Sequence, residues 1–407
     1  MTEAVIVSTA RSPFGRAFKG SLKDMRPDDL AVSVIRAALD KVPALDPALV
    51  EDLYLGCAEP SGRHGSNMAR VVATLLGLDA TPGATVNRFC ASSAQTTRMA
   101  FHAIKAGEGD VFVSAGVECV SHYTDWAGAG GAAADTQNPR FDEAQARTKA
   151  MAESNATWTD PREDGHLPDV YIAMGQTAEN VATAFDIGRD RQDEWGVTSQ
   201  NRAEAAIARG FFDWEITPVT TPDGTVVSKD DGPRAGVTLE AVQGLKPVFR
   251  PDGTVTAGNC CPLNDGAAAL VIMSDTKAAQ LGLEPLARVV STAATALSPE
   301  IMGLGPIEAS NLALQRAGMS IGDMDLYEIN EAFAAQVIGS ADRIGMDYDK
   351  LNVNGGAIAI GHPFGATGAR ITGTIINALR DRDEQFGLET MCVGGGQGMA
   401  VIFERLS

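Results

Sequence analysis

Several things that would classify a chain quickly are missing from these 407 residues. No uninterrupted apolar run approaches the roughly 20 residues needed to span a bilayer, so membrane insertion is not expected. The start, Met1-Thr2-Glu3 and then the strand-like run Ala4 to Ser8, has no basic segment leading into an apolar one, so no secretory signal is visible. Six cysteines are too few for a disulfide scaffold in a chain of this length; no CxxC occurs, and adjacent Cys260 and Cys261 cannot easily pair with each other. The five histidines, His64, His102, His122, His166 and His362, stand at no ligand spacing, so no metal is expected. These absences point to a reducing cytoplasm. Basic residues are in the minority: 33 Lys+Arg against 52 Asp+Glu give a net charge of −19. That surplus repels nucleic-acid phosphates, and an anionic small ligand would need a local basic patch.

What is present is ordinary in bulk and uneven in detail. Hydrophobic residues at 44% and charged residues at 21% are those of a globular protein too long for one simple core. The 43 glycines cluster, as they do where turns build sites. Two halves of the chain also echo each other. "VEDLYLGCAEP" finds a counterpart in "DMDLYEINEAF", and "VNRFCASSAQTTRMAFHAIKAG" in "VNGGAIAIGHPFGATGARITGTIINALR". "DVFVSAGVE" is matched by "ETMCVGGGQG". Each set reads as strand, small-residue turn, helix and strand, which predicts parallel βαβ units in layered sheets. In the second helix Ile371, Ile375, Ile376 and Leu379 share one face while Arg370, Arg380 and Arg382 point elsewhere. The helix after Cys90 carries only Arg98 and Lys105 as charges and reads as buried on most sides.

Between the halves the composition changes. "DWAGAGGAAADTQNP" reads as a flexible excursion, and amphipathic helix and turn-rich segments follow as far as about Asn264. The expected organisation is an N-terminal half over residues 1–119 completed by 264–284, an inserted loop domain over 120–263 bearing substrate specificity, and a C-terminal half over 285–407.

Four short stretches can carry chemistry. Cys90, in "VNRFCASSAQ", falls at a helix N-terminus, where dipole and free amides favour a thiolate, although a free cysteine more commonly just packs. His362, in "GHPFGATGAR", sits in a glycine-rich turn feeding a helix and is the most plausible partner for a cysteine. Cys392, ahead of "GGG", exposes a thiol beside amide N–H groups, the ingredients of an oxyanion hole. Asn330 opens "NEAFA" at a strand end, where an Asn-Glu pair can also be a helix cap.

Taken in order, "ARSPFG", "NRFCASS", "TAGN…NDGAA", "NEAFA", "NVNGGAIAIGHPFGATGAR" and "CVGGGQG" closely resemble the thiolase family from Ala10 to the C-terminus. The resemblance implies an α/β fold of duplicated halves in α/β/α/β/α layers, and an acyltransferase that moves an acyl group between a 3-ketoacyl-CoA and CoA. It implies that Cys90 is acylated, Cys392 is the acid/base, His362 activates the thiol, and Asn330 holds a water in one oxyanion hole. The amides of Cys90 and Gly394 would form the other. Claisen chemistry on a thioester requires this division of labour: an acyl carrier, a base for a weakly acidic proton, and stabilisation of two oxyanions. CoA and acyl-CoA are then substrates, no cofactor is permanently bound, and a homodimer or homotetramer is expected. The substrate side would comprise Arg234, Met174, Phe249, Cys261, Met302 and Phe333.

This chain departs from the family at that substrate side. Cys261 stands where a serine is usual, Pro262 where glycine is, and Ala241 replaces a serine. Ala173, before Met174, stands where acetoacetyl-specific thiolases carry histidine, which leaves space for longer chains. The expectation is a 3-ketoacyl-CoA thiolase of acyl-CoA degradation, with a biosynthetic acetoacetyl-CoA thiolase as the alternative. Ketoacyl synthases and hydroxymethylglutaryl-CoA synthases resemble thiolases around the nucleophile but lack the counterpart of Cys392. A non-catalytic acyl-CoA-binding protein would be expected to lose Cys90, His362 or Cys392.

Overall fold

The computed structural model describes residues 2–123 and 137–407, so most of the Gly/Ala-rich stretch lies outside the described residues. The first half runs β1 (Ala4–Arg11), β2 (Gly15–Arg16), α1 (Pro27–Asp40), β3 (Asp52–Gly56), α2 (Met68–Leu75), β4 (Gly83–Val86), α3 (Ser92–Ala106) and β5 (Val111–Cys119). An excursion follows with α4 (Asp142–Ser154), α5 (Met174–Ala184), α6 (Arg189–Ala208), the short β6 and β7 (Val219–Thr220, Val226–Val227) and α7 (Leu239–Gln243). The chain returns through β8 (Asn264–Ser274) and α8 (Asp275–Gln280). The second half is β9 (Ala287–Ala296), α9 (Gly305–Ala317), β10 (Leu326–Ile329), α10 (Ala334–Ile344), α11 (Ala357–Ile360), α12 (Thr367–Arg382), β11 (Phe386–Val393) and β12 (Gln397–Arg405).

Ten of the described strands form one sheet in the order β10-β11-β12-β9-β1-β8-β5-β3-β4, with β2 on β8, while β6 and β7 pair with each other. Among the described residues, its two halves pair only where Val5 and Ile6 meet Arg288 and Ala287. Read outward from that seam, β1-β8-β5-β3-β4 is repeated as β9-β12-β11-β10, and the repeat's last strand survives as a single parallel bridge between Tyr327 and Leu351. Pairing directions repeat too. β3 is parallel to β4 and β5, and β10 to β11, while β5/β8, β8/β1, β11/β12 and β12/β9 are antiparallel. The expected parallel units are there, in β4-β3-β5 and β10-β11, but antiparallel pairings join them into a mixed sheet. The reason is local: β11 turns back on β12 through Gly394–Gly396, and Gly395 and Gly396 adopt positive φ that most residues resist.

Layering follows from double-sided burial. Along β1, Ala4 and Ile6 enter one apolar cluster while Val5 and Val7 enter another, so the strand reads as a continuous apolar run. The first of these clusters lies between the half-sheets and is filled by α3 and α12. The second packs under α1 and α2, and a third under α9 and α10. The result is helix, sheet, helix, sheet, helix. It also revises the two helix readings. α12 is buried from Thr367 to Leu379, Arg370 included, because sheets flank it, whereas α3 turns His102 and Lys105 outward.

Candidate active site

Cys90 is delivered by a strained turn. After β4 the chain reaches Phe89 at φ +43°, a left-handed conformation unusual for a bulky residue. Neighbours hold it there: Asn87 Oδ1 accepts from Phe89 N at 2.8 Å, and Ser92 Oγ donates to Phe89 O at 2.6 Å while accepting from Arg88 N at 3.0 Å. The Phe89 ring lies over Gly394. This arrangement sets the Cys90 sulfur against the N–H of Gly394 and its own N–H. Those amides pull the thiol down, but burial is larger and pushes it up to about 11. The thiolate expected from the helix terminus is therefore not the resting form; the buried site holds Cys90 as a thiol.

Cys392, expected to expose its thiol, is wholly buried on β11. Burial raises its thiol well above the ordinary range, and the neighbouring Cys90 adds to this. His362 follows the positive-φ Gly361 and is also buried; desolvation, with Arg370 behind it, lowers its pKa to about 3 and keeps the ring neutral. Asn330 directly follows β10, and its Nδ2 lies 3.2 Å from His362 Nε2. It caps no helix, since α10 begins after Phe333. Asn330 Oδ1 has no protein partner among the described residues.

The substrate-side residues divide into two groups. Met174, Phe249, Met302 and Phe333 pack around Cys392, with the Phe249 and Phe333 rings edge-on at 6.1 Å. Arg234 and Cys261 line a cleft of about 600 Å³ together with Ala241 and Pro262. Cys261 joins the two regions, being close enough to Cys90 and Cys392 for each to raise its pKa after burial has done so. Arg16 and Lys19 also line the cleft and were not singled out from sequence. Arg16 is lowered by burial and then by the facing Arg234, a like-charge pair left standing in a strongly acidic protein. Two cations in the loop after "ARSPFG" were the available signal.

A further residue missed in the sequence orders the histidine loop. Buried Glu331 accepts from Ser199 Oγ at 2.6 Å, Asn352 Nδ2 at 2.8 Å and Ile358 N at 3.1 Å. Because Glu331 directly follows Asn330, it ties the strand end that carries the asparagine to the segment leading to His362.

A neutral thiol on a helical turn, another on β11 and a neutral imidazole, converging from both halves near a cleft that carries Arg16, Lys19 and Arg234, suit acyl transfer. Family models described as the N-terminal and C-terminal thiolase domains match residues 4–276 and 283–405. The chain belongs to the thiolase family. It is 41% identical to the 3-ketoacyl-CoA thiolase of Bacillus subtilis, over 99% of this chain and 100% of that one. It is 43% identical to the acetyl-CoA acetyltransferase of Cupriavidus necator, over 100% of both. The crystal structure of the Bacillus anthracis acetyl-CoA acetyltransferase superposes with a TM-score of 0.87 at 38% identity, covering 100% of this chain and 99% of that one. As a thiolase the protein is an acyltransferase working between acyl-CoA and CoA. No helix among the described residues is long and apolar enough to cross a membrane, and no group of three or more potential ligands among them could hold a metal ion.

Proposed function

We propose that the protein cleaves 3-ketoacyl-CoA esters by thiolysis, with Cys90 as the acyl carrier, in cytoplasmic acyl-CoA degradation. Cys90 Sγ attacks the 3-keto carbon as His362 takes the thiol proton. Cleavage of the C2–C3 bond releases the acetyl-CoA enolate, which Cys392 protonates, leaving an acyl thioester on Cys90. The thiol of a second CoA then gives its proton to the Cys392 thiolate, attacks that thioester and carries the acyl group away, and the departing Cys90 thiolate takes its proton back from His362. The N–H groups of Gly394 and Cys90 stabilise one oxyanion, and Asn330 with His362 the other. Residues 120–263 serve as the module that selects CoA and substrate, with Arg16, Lys19 and Arg234 attracting the phosphates.

The observation that carries this reading is the convergence of Cys90, Cys392 and His362 as buried, neutral groups, each able to move a proton only when a reacting partner arrives. The degradative direction rests on Ala173, which precedes Met174 in the apolar pocket and adds no polar group there. Assembly as a homodimer or homotetramer is supported by β4, whose outer edge ends the sheet, and by exposed Val71 and Leu75 on the preceding helix.

The test combines mass spectrometry with kinetics. Brief exposure to acetyl-CoA should place one acetyl group on the peptide containing Cys90, and Cys90→Ser should abolish it. In a series of 3-ketoacyl-CoA esters, those longer than acetoacetyl-CoA should be cleaved with comparable or higher kcat/KM. Rejection of every longer ester would move the protein to the biosynthetic group, and absence of the adduct would remove Cys90 as nucleophile.

A further inference from the structure

A neutral imidazole carries its proton on either Nδ1 or Nε2, and only the other nitrogen can act as a base. In His362 both nitrogens have a protein partner. Nδ1 lies 2.6 Å from Thr367 Oγ1, and Nε2 lies 3.2 Å from Asn330 Nδ2. Thr367 Oγ1 also lies 2.8 Å from the carbonyl oxygen of Pro363.

A hydroxyl has a single hydrogen, and a carbonyl can only accept. The hydrogen of Thr367 therefore goes to Pro363 O, the bond back to residue i−4 that threonine commonly makes in a helix. Its oxygen is left to accept, which requires a hydrogen on Nδ1. The reverse assignment would hold two acceptor oxygens 2.8 Å apart with no hydrogen between them. The far side of the ring agrees, because the Asn330 amide N–H needs a lone pair on Nε2. His362, Thr367 and Asn330 are all buried, so bulk solvent does not offer alternative partners.

We infer that Thr367 is a positioning residue that fixes His362 in the Nδ1–H form and leaves Nε2 as the proton acceptor. The inference rests on the reading of His362 as the base of the site. The proton count closes over one cycle. Nε2 takes a thiol proton and the ring becomes a cation with Nδ1–H still donated to Thr367; release of that proton restores the original tautomer.

The test uses the full chain labelled with 15N-histidine, with His362 assigned by loss of its signals in His362→Gln. In the wild type, Nδ1 should show the shift of a protonated ring nitrogen and Nε2 that of an unprotonated one. Thr367→Val, similar in shape but unable to accept, should move the signals toward the Nε2–H form or an exchanging mixture. It should lower kcat on the order of 100-fold with little change in KM. Thr367→Ser should restore both the spectrum and most of the rate. A wild-type Nε2–H form, or a Val variant that keeps Nδ1–H, would overturn the inference even if the variant lost activity. Wild-type turnover in His362→Gln would instead overturn the reading of His362 as base and leave the tautomer assignment standing.

Discussion

The two halves of the molecule build the same nest and fill it differently. Pairing of Gly56 with Gly116 in the first half corresponds to that of Ile329 with Thr390 in the second. In that register Glu118 falls at the position of Cys392, and Cys57 at that of Asn330. The helical turns Phe89–Ala91 and Phe364–Ala366, each followed at once by a long helix, place Gly365 opposite Cys90 and Asn87 opposite His362. In the first-half nest Glu118 is saturated. It accepts from Ala58 N at 2.7 Å, Gly365 N at 2.8 Å, Glu59 N at 3.3 Å and Cys57 Sγ at 3.5 Å. In the second-half nest the thiols are held by burial, and Asn330 Oδ1 stays without a protein partner. One nest is a clamp across the halves; the other leaves bonding capacity unused, which the proposed function assigns to a substrate. The position in the fold is neutral, and donor count decides its use.

The strongest way to break this comparison is at Cys392. Cys392→Ala should still accept an acetyl group on Cys90, whereas complete turnover should fall on the order of 1,000-fold, because on the proposed mechanism the second nest moves the protons. Equal loss of adduct formation and turnover, measured by mass spectrometry and steady-state kinetics, would make Cys392 structural like its counterpart. The reciprocal change is Glu118→Ala. Stranding several buried donors at once should cost about 3 kcal/mol or more in urea unfolding, while the adduct on Cys90 still forms in the folded fraction. A variant of unchanged stability would show that Glu118 is not the clamp.

A gentler probe uses pH. Around Arg370 the second half buries Glu328 and Glu389, each raised by burial to about 8, where the first half has Leu55 and Ala115. For both acids the folded pKa lies above the unfolded value near 4.3, so the folded state holds protons that the unfolded state has released. The stability they contribute is complete below the unfolded pKa and is lost as pH rises toward 8. The slope should be on the order of 1 kcal/mol per pH unit per group. Unfolding free energies of the wild type and of Glu328→Gln/Glu389→Gln should therefore converge toward low pH and separate between pH 5 and 8, with the variant flatter. Parallel curves would mean that these carboxyls titrate normally.

How much of this could be read from the residues varies with the kind of signal. The duplicated strands were legible because β3, β5, β10 and β11 are short apolar runs bounded by turns, and the thiols and His362 were legible through the small residues beside them. The antiparallel pairings were not, since a glycine run serves a hairpin as readily as a ligand loop. Arg370 was misplaced for a related reason: periodicity shows which face of α12 is apolar, not whether the opposite face meets water or a second sheet. Thr367 gave no signal, as its partner is chosen by a turn five residues long. Glu118 did give one. A carboxylate inside the apolar strand "VFVSAGVEC" must be satisfied by something, and that demand could have been followed.

The second-half turn of Gly394–Gly396 occupies the place where the first half makes its excursion over residues 120–263. Cys119 and Asp265 stand side by side in the β5/β8 ladder, so the excursion leaves and re-enters at one spot. Closing a loop grows costlier only with the logarithm of its length, and exchanging a tight turn for this excursion adds on the order of 3 kcal/mol. The larger consequence concerns time. β11 and β12 can zip as a hairpin within microseconds, but β8 cannot reach β5 until the whole excursion has been drawn in. The first half-sheet, which carries the strands flanking α3 and hence Cys90, is thus the late-closing part of the molecule. A slow-folding lesion anywhere in residues 120–263 would leave β5 with an unpaired edge, and Cys90 would be lost to aggregation before any substrate contact was tested.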